Sequence, residues 1–166
     1  NIDDVDPYIV ALLYAGDRHH AKDTIQKWID EGYFVIVDRY VYSNIGFQCA
    51  KLDNEEDRER LKKWILELEY EHYKLPKPDL TLFLDVPFDF TRKKLTSQRE
   101  GNDRKYLKGK TDIHEANLSF QQKVRKVYLE VDKEDKEFKV VECYENEEML
   151  VPEEISKKIR SLIEID

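Results

Sequence analysis

Glycine is scarce in this chain, with five in 166 residues, at 16, 32, 46, 101 and 109. A phosphate-cradling glycine loop needs a strand before it and a helix after it. The one Gly-Lys-Thr triplet, 109–111, lies in a polar stretch without that context, and "GDRHH" at 16–20 lacks it too. Cysteine is almost absent. Cys49 and Cys143 are the only two, far apart and without metal-ligand spacing. That excludes a disulfide-built fold, reads as two small buried hydrophobes, and suits a reduced, cytoplasmic protein. No apolar run approaches the roughly 18–20 residues that span a bilayer, so no membrane partner is expected. The opening residues carry no signal-peptide pattern. No basic block is present either. Lys plus Arg is 28 against 36 Asp plus Glu, a net charge of -8, which repels nucleic-acid backbones. A small anion remains a fitting ligand, because a few arginines in a cleft override the global sign.

What is present is a soluble globular balance, 40% hydrophobic and 39% charged, in a chain of one-domain size. No repeat, low-complexity tract or boundary interrupts residues 1–166. Asp6-Pro7 opens a helix, with Asp as N-cap and Pro in the first turn. Val10, Leu13, Tyr14, Ala21, Ile25, Trp28 and Ile29 fall on one face of it, and Gly32 stops it. "FVIVD" at 34–38 reads as a short buried strand. A helix follows over 42–50, and a clearer one over 54–72 with Leu61, Trp64, Ile65 and Leu68 inward. Glu56/Arg60 and Glu59/Lys63 are its surface pairs. "LPKPD" at 75–79 is a stiff extended linker.

"LTLFLDV" at 80–86 is a second buried strand, and Pro87 opens a helix to about Thr96. Residues 97–111 have no apolar period and read as a long loop. A helix over 113–135 turns Phe120, Val124, Val127, Tyr128 and Val131 inward. "FKVVEC" at 138–143 is a third strand, and Pro152 begins a last helix with Ile155, Ile159, Leu162 and Ile163 on one face. Strands apolar on both faces and alternating with helices predict an α/β fold, a parallel sheet covered on both sides. Ligands then bind beyond the carboxyl ends of the strands, which is where Asp38-Arg39 is expected.

Four blocks together resemble the thymidylate kinase family: "LLYAGDR" (12–18), "DRYVYSNIGFQCAK" (38–51), "LPKPDLTLFLDV" (75–86), and "SQREGNDRKYLKGKTDIHE" (97–115), the last similar to the family's lid. Their order and spacing match, and the likeness runs over nearly the whole chain. It implies a three-layer parallel sheet of the P-loop nucleoside monophosphate kinase type. The family's opening strand, glycine loop and helix have no counterpart here, so the sequence reads as N-terminally shortened. Residues 1–166 alone are expected to fold poorly and bind ATP weakly.

The resemblance implies ATP-dependent phosphorylation of thymidine 5′-monophosphate, with Mg²⁺, in a homodimer. Asp38 would hold the magnesium ion; alternatively it caps the helix over 39–42. Arg39 would bridge the acceptor phosphate and the transferred phosphoryl group with its planar fork, or else pair with Asp38 or Asp85. Tyr14 would stack on thymine and Arg18, one turn on, would bond its carbonyl; alternatively Tyr14 is core and Arg18 surface. Ser43 and Gln48 match positions near base and sugar, and Phe47 the aromatic that crowds the sugar 2′ position. Cys49 stands where many relatives have Gly. In the lid, Arg99 and Arg104 would reach the ATP phosphates, with Asp112 and Glu115 ordering the closed loop. Ile113 stands where relatives often carry Arg, which shifts that role to Arg99 and Arg104. Two other readings stay open: a deoxynucleoside kinase, or a nucleotide-binding module without catalysis.

Overall fold

The computed structural model describes residues 5–90, 118–146 and 148–163. They fall into two compact units that divide at Pro78/Asp79.

The regular elements among the first unit's described residues are all helices: α1 (Pro7–Asp30), α2 (Val41–Cys49) and α3 (Glu55–Leu66), the last running on into a π-helical turn at Glu67–His72. The ends follow the sequence. The Asp6 carboxylate accepts the Tyr8 amide at 2.7 Å with Pro7 in the first turn, and Asn54 caps α3 through the Glu56 amide at 2.9 Å. Gly32 closes α1 at φ +79°, a left-handed backbone that costs glycine little.

The core of this unit differs from the expected helix face. Val10, Ala11 and Ala15 are the buried residues of α1, facing Val41, Ile45 and Cys49 of α2 and Leu61 and Ile65 of α3. Each of the larger ones contributes about 1.5–3 kcal/mol by leaving water. Leu13 is 68% exposed, and Tyr14, Trp28 and Ile29 also lie outward. The alanines explain the choice of face, since a side without bulk lets a neighbouring helix approach closely. On the surface of α3, Arg60 reaches Glu56 as expected, whereas Glu59 pairs with Lys62 and Lys63 with Glu67.

The strand expected at 34–38 does not form. Residues 33–37 are irregular, and Ile36 is 82% exposed. A strand exists only with a partner to bond its N–H and C=O groups, and no strand is present among the described residues up to 78.

The second unit carries the sheet. β1 (Thr81–Asp85) and β2 (Phe138–Glu142) pair in parallel, with Thr81 opposite Phe138 and Asp85 opposite Glu142. Parallel neighbours need a long crossover, and α4 (Leu118–Val131) lies within it. Its Val124, Val127 and Val131 are buried, and Tyr128 stacks on Phe83 at 4.5 Å between ring centres. Asp85 is buried at the carboxyl end of β1, held by Arg125 through two bonds of 2.6 Å. A short antiparallel hairpin, β3 (Tyr144–Glu145) with β4 (Glu148–Met149), turns through Asn146 at φ +48°. The helix α5 (Pro152–Arg160) follows, as Pro152 predicted. Beyond Pro87, residues 88–90 are helical; the rest of that predicted helix, and positions 113–117 of the helix predicted over 113–135, lie outside the described residues.

Candidate active site

The expected acceptor-site residues that the structure describes all lie in the first unit, on α1, on α2 and in the segment that enters α2. Tyr14 is 46% exposed on α1, which sets aside its reading as core. Arg18 follows one turn later, and its side chain is only 14% exposed, which sets aside its reading as surface.

What buries Arg18 is a carboxylate 51 positions away. Glu69, with no exposed surface, accepts Arg18 Nε at Oε2 (2.5 Å) and Arg18 Nη2 at Oε1 (2.6 Å), a forked pair. Asn44 of α2 donates Nδ2 to the same Oε1 at 3.0 Å and to the Ala11 carbonyl at 3.0 Å. Two acceptors around Nδ2 fix the orientation of that amide. Its Oδ1 is then a buried acceptor without a hydrogen-bond partner among the described residues.

Two phenols flank the carboxylate. Burial pushes Tyr40 up to about 12, with the charge of Glu69 adding and that of Arg18 opposing. Tyr70 is raised further, by burial first, then by Tyr40 and Glu69, against Arg18. Tyr40 donates its hydroxyl to the Pro76 carbonyl at 3.1 Å.

Asp38 and Arg39 are exposed, at the entry to α2. The N-cap of α2 is Tyr40, so the helix-cap reading of Asp38 does not hold. Arg39 stands at φ +65°, a left-handed backbone that costs a non-glycine residue about 1–2 kcal/mol. Its guanidinium carbon sits 5.0 Å from the centre of the Phe47 ring. The carboxylate of Asp85 is bound by Arg125. Ser43 and Phe47 are half-buried on α2; Gln48 is buried, with an Oε1 that also lacks a partner among the described residues. Arg99, Arg104, Asp112 and Glu115 lie outside the described residues, as does the whole lid at 97–115.

Sequence reading missed Glu69 and Asn44. A signal for the first was there: Leu61, Ile65 and Glu69 recur every four residues, so a glutamate occupies an inward position of an apolar stripe. No spacing rule pairs it with Arg18, and the π-helical turn that carries it leaves no sequence mark.

Two parallel strands joined through a helical crossover make this an α/β protein, and a solved structure narrows the class. The chain is similar to thymidylate kinase from Candida albicans, with a TM-score of 0.65 and 26% identity over 96% of this chain and 67% of that one. That is the P-loop nucleoside monophosphate kinase fold.

The chain belongs to the thymidylate kinase family, whose model matches residues 2–155. It is 37% identical to a probable thymidylate kinase of Pyrobaculum aerophilum over 75% of this chain and 55% of that protein. To a probable thymidylate kinase of Pyrococcus abyssi it is 30% identical, over 92% and 63% respectively. To a thymidylate kinase of Ligilactobacillus salivarius it is 29% identical, over 92% and 68%. The chain thus spans between about half and two thirds of the length of these relatives.

Proposed function

We propose that this chain serves the transfer of the γ-phosphoryl group of ATP to thymidine 5′-monophosphate, giving the diphosphate and ADP. The observation that carries the reading is the buried cluster on Glu69. One carboxylate oxygen holds both a guanidinium and an amide, and that amide has a buried oxygen without a partner among the described residues. A planar ring with a C=O beside an N–H matches such a set, and thymine has that edge. Tyr14, exposed one turn before Arg18, supplies an aromatic face for the ring. Ser43, Phe47 and Gln48 of α2 take the rest of the nucleoside, with Phe47 against the sugar.

Catalysis of phosphoryl transfer is mostly positioning and neutralisation of charge. Arg39 is assigned the second task; its exposure and its costly backbone conformation, which residues at reacting sites often share, support that. Its planar fork bridges the acceptor phosphate and the incoming group. Magnesium keeps several waters and takes one or two carboxylates besides the phosphates. A lone exposed Asp38 fits that demand, although no cluster of three metal-binding side chains exists among the described residues. The ion would neutralise charge on the phosphates. Arg99 and Arg104 are assigned to the ATP phosphates, and Asp112 and Glu115 to ordering the lid. A single kinase domain, a homodimer and a cytoplasmic setting belong to the same reading.

Binding of thymidine monophosphate tests the reading at its base site. Losing a buried charged hydrogen bond costs about 1.5–3 kcal/mol, so Arg18→Ala should weaken calorimetric binding roughly tenfold or more. Equal binding by both proteins would remove Arg18 from the site.

A further inference from the structure

We infer that Glu69 is a specificity-determining positioning residue: by locking the fork of Arg18, it makes the base site accept a ring carbonyl and reject a ring amino group. The inference rests on the proposed thymidine monophosphate site and adds to it a residue that does not touch the base.

A buried carboxylate is a poor choice for stability alone, because its desolvation offsets what the ion pair gains. Its presence on an otherwise apolar stripe calls for another use. Arg18 spends Nε and Nη2 on the two oxygens of Glu69, which fixes the plane and rotation of the guanidinium. The third nitrogen, Nη1, and the second Nη2 proton lie on the other edge, and that edge has donors only. A carbonyl meeting it is bound. An amino group meeting it sets donor against donor. A loose arginine would swing away and remove the conflict; one clamped at both ends of the fork cannot. Discrimination therefore comes from the clamp as well as from the arginine. The Asn44 bond to the same oxygen ties the neighbouring amide into the same frame. The π-helical turn at Glu67–His72 is the local distortion that carries Glu69 in this cluster. Such turns recur at functional sites.

The experiment compares thymidine and 5-methyldeoxycytidine monophosphates as acceptors, whose rings share the methyl group and differ in C=O against C–NH₂ and in the proton on the adjoining ring nitrogen. It uses the full-length enzyme and its Glu69→Gln variant. Glutamine keeps the shape but turns an amide NH₂ toward the guanidinium, so the clamp opens. KM for thymidine monophosphate should rise about tenfold with kcat within about twofold, and the preference for it over the cytidine compound should fall about tenfold. A scaffold role would lower both activities alike; a preference unchanged in Glu69→Gln, or lost only in step with kcat, overturns the inference.

The pair of variants Arg18→Met and Arg18→Met/Glu69→Leu guards against misfolding, since replacing both buried charges together is commonly tolerated. If Glu69 acts through Arg18, the two share one low preference. A further loss of preference in the double variant also overturns the inference. A wild-type enzyme that phosphorylates neither acceptor, or both equally, would instead defeat the thymidine monophosphate reading, and this inference with it.

Discussion

Arg39 combines three properties that rarely meet in one side chain: exposure, a left-handed backbone and a stacked guanidinium. Stability gains nothing from that backbone, and the proposed role of the head group accounts for it. In the intact enzyme Arg39→Ala should lower kcat by orders of magnitude while thymidine monophosphate still binds, because the lost contact is strongest in the transition state. Arg39→Lys should recover little, since a point charge does not replace a planar fork. Steady-state kinetics decide it, and near-normal turnover of the alanine variant would exclude Arg39 from the chemistry.

Tyr70 offers a test of another kind. Its hydroxyl is buried without a hydrogen-bond partner among the described residues, while Lys77 lies 5.3 Å over its ring. Tyr70→Phe keeps the ring and removes the orphan, so the protein should gain about 1 kcal/mol, read as a higher Tm. The phenols also set an alkaline limit. Tyr40 and Tyr70 have folded pKa values raised above the ordinary 10.0, Tyr40 to about 12. Above that ordinary value the unfolded chain loses phenolic protons that the folded chain keeps, so stability falls as pH rises. Melting at stepped pH should show a decline from pH 10.0 toward about 12, flattened in the Tyr40→Phe/Tyr70→Phe variant.

At the scale of elements, helices were legible where their ends carry chemistry. Asp6-Pro7 and Val151-Pro152 begin helices where the sequence said, and Gly32 ends one. The strands at 81–85 and 138–142 were legible because each is apolar on both faces and each has the other to bond. The run at 34–38 has the same composition and no ladder, since a strand is a property of a pair and composition reports only one member. The buried face of α1 was misread for a related reason. Periodicity weights bulk, and close helix packing there selects Ala11 and Ala15. The candidate site was half legible: Tyr14, Arg18, Asp38 and Arg39 came from sequence, but Glu69 and Asn44 emerged only when contacts 51 and 25 residues long were in place.

The Asp85–Arg125 pair ties β1 to α4 in the same long-range way. Arg125→Ala leaves a buried carboxylate uncompensated, and the 42% exposure of the Arg125 side chain puts the loss at the low end of about 3–5 kcal/mol. Urea denaturation should register it as a lower midpoint, whereas an unchanged midpoint would show that water reaches Asp85 and satisfies it.

At the scale of the whole molecule, local arginines reconcile a net charge of -8 with the proposed anionic substrate. Arg18 is neutralised by Glu69, while Arg39 stays exposed; in the proposed reading the first meets the base and the second the phosphates. That division of labour predicts an enzyme that requires a phosphate already on its acceptor. No helix among the described residues is long and apolar enough to cross a membrane. The direct measurement follows phosphorus resonances of ATP and magnesium incubated with the full-length enzyme and either thymidine or thymidine 5′-monophosphate. ADP and thymidine diphosphate should appear in equal amounts from the monophosphate, with thymidine left unchanged; phosphorylation of thymidine itself, or no transfer to the monophosphate, would contradict the account.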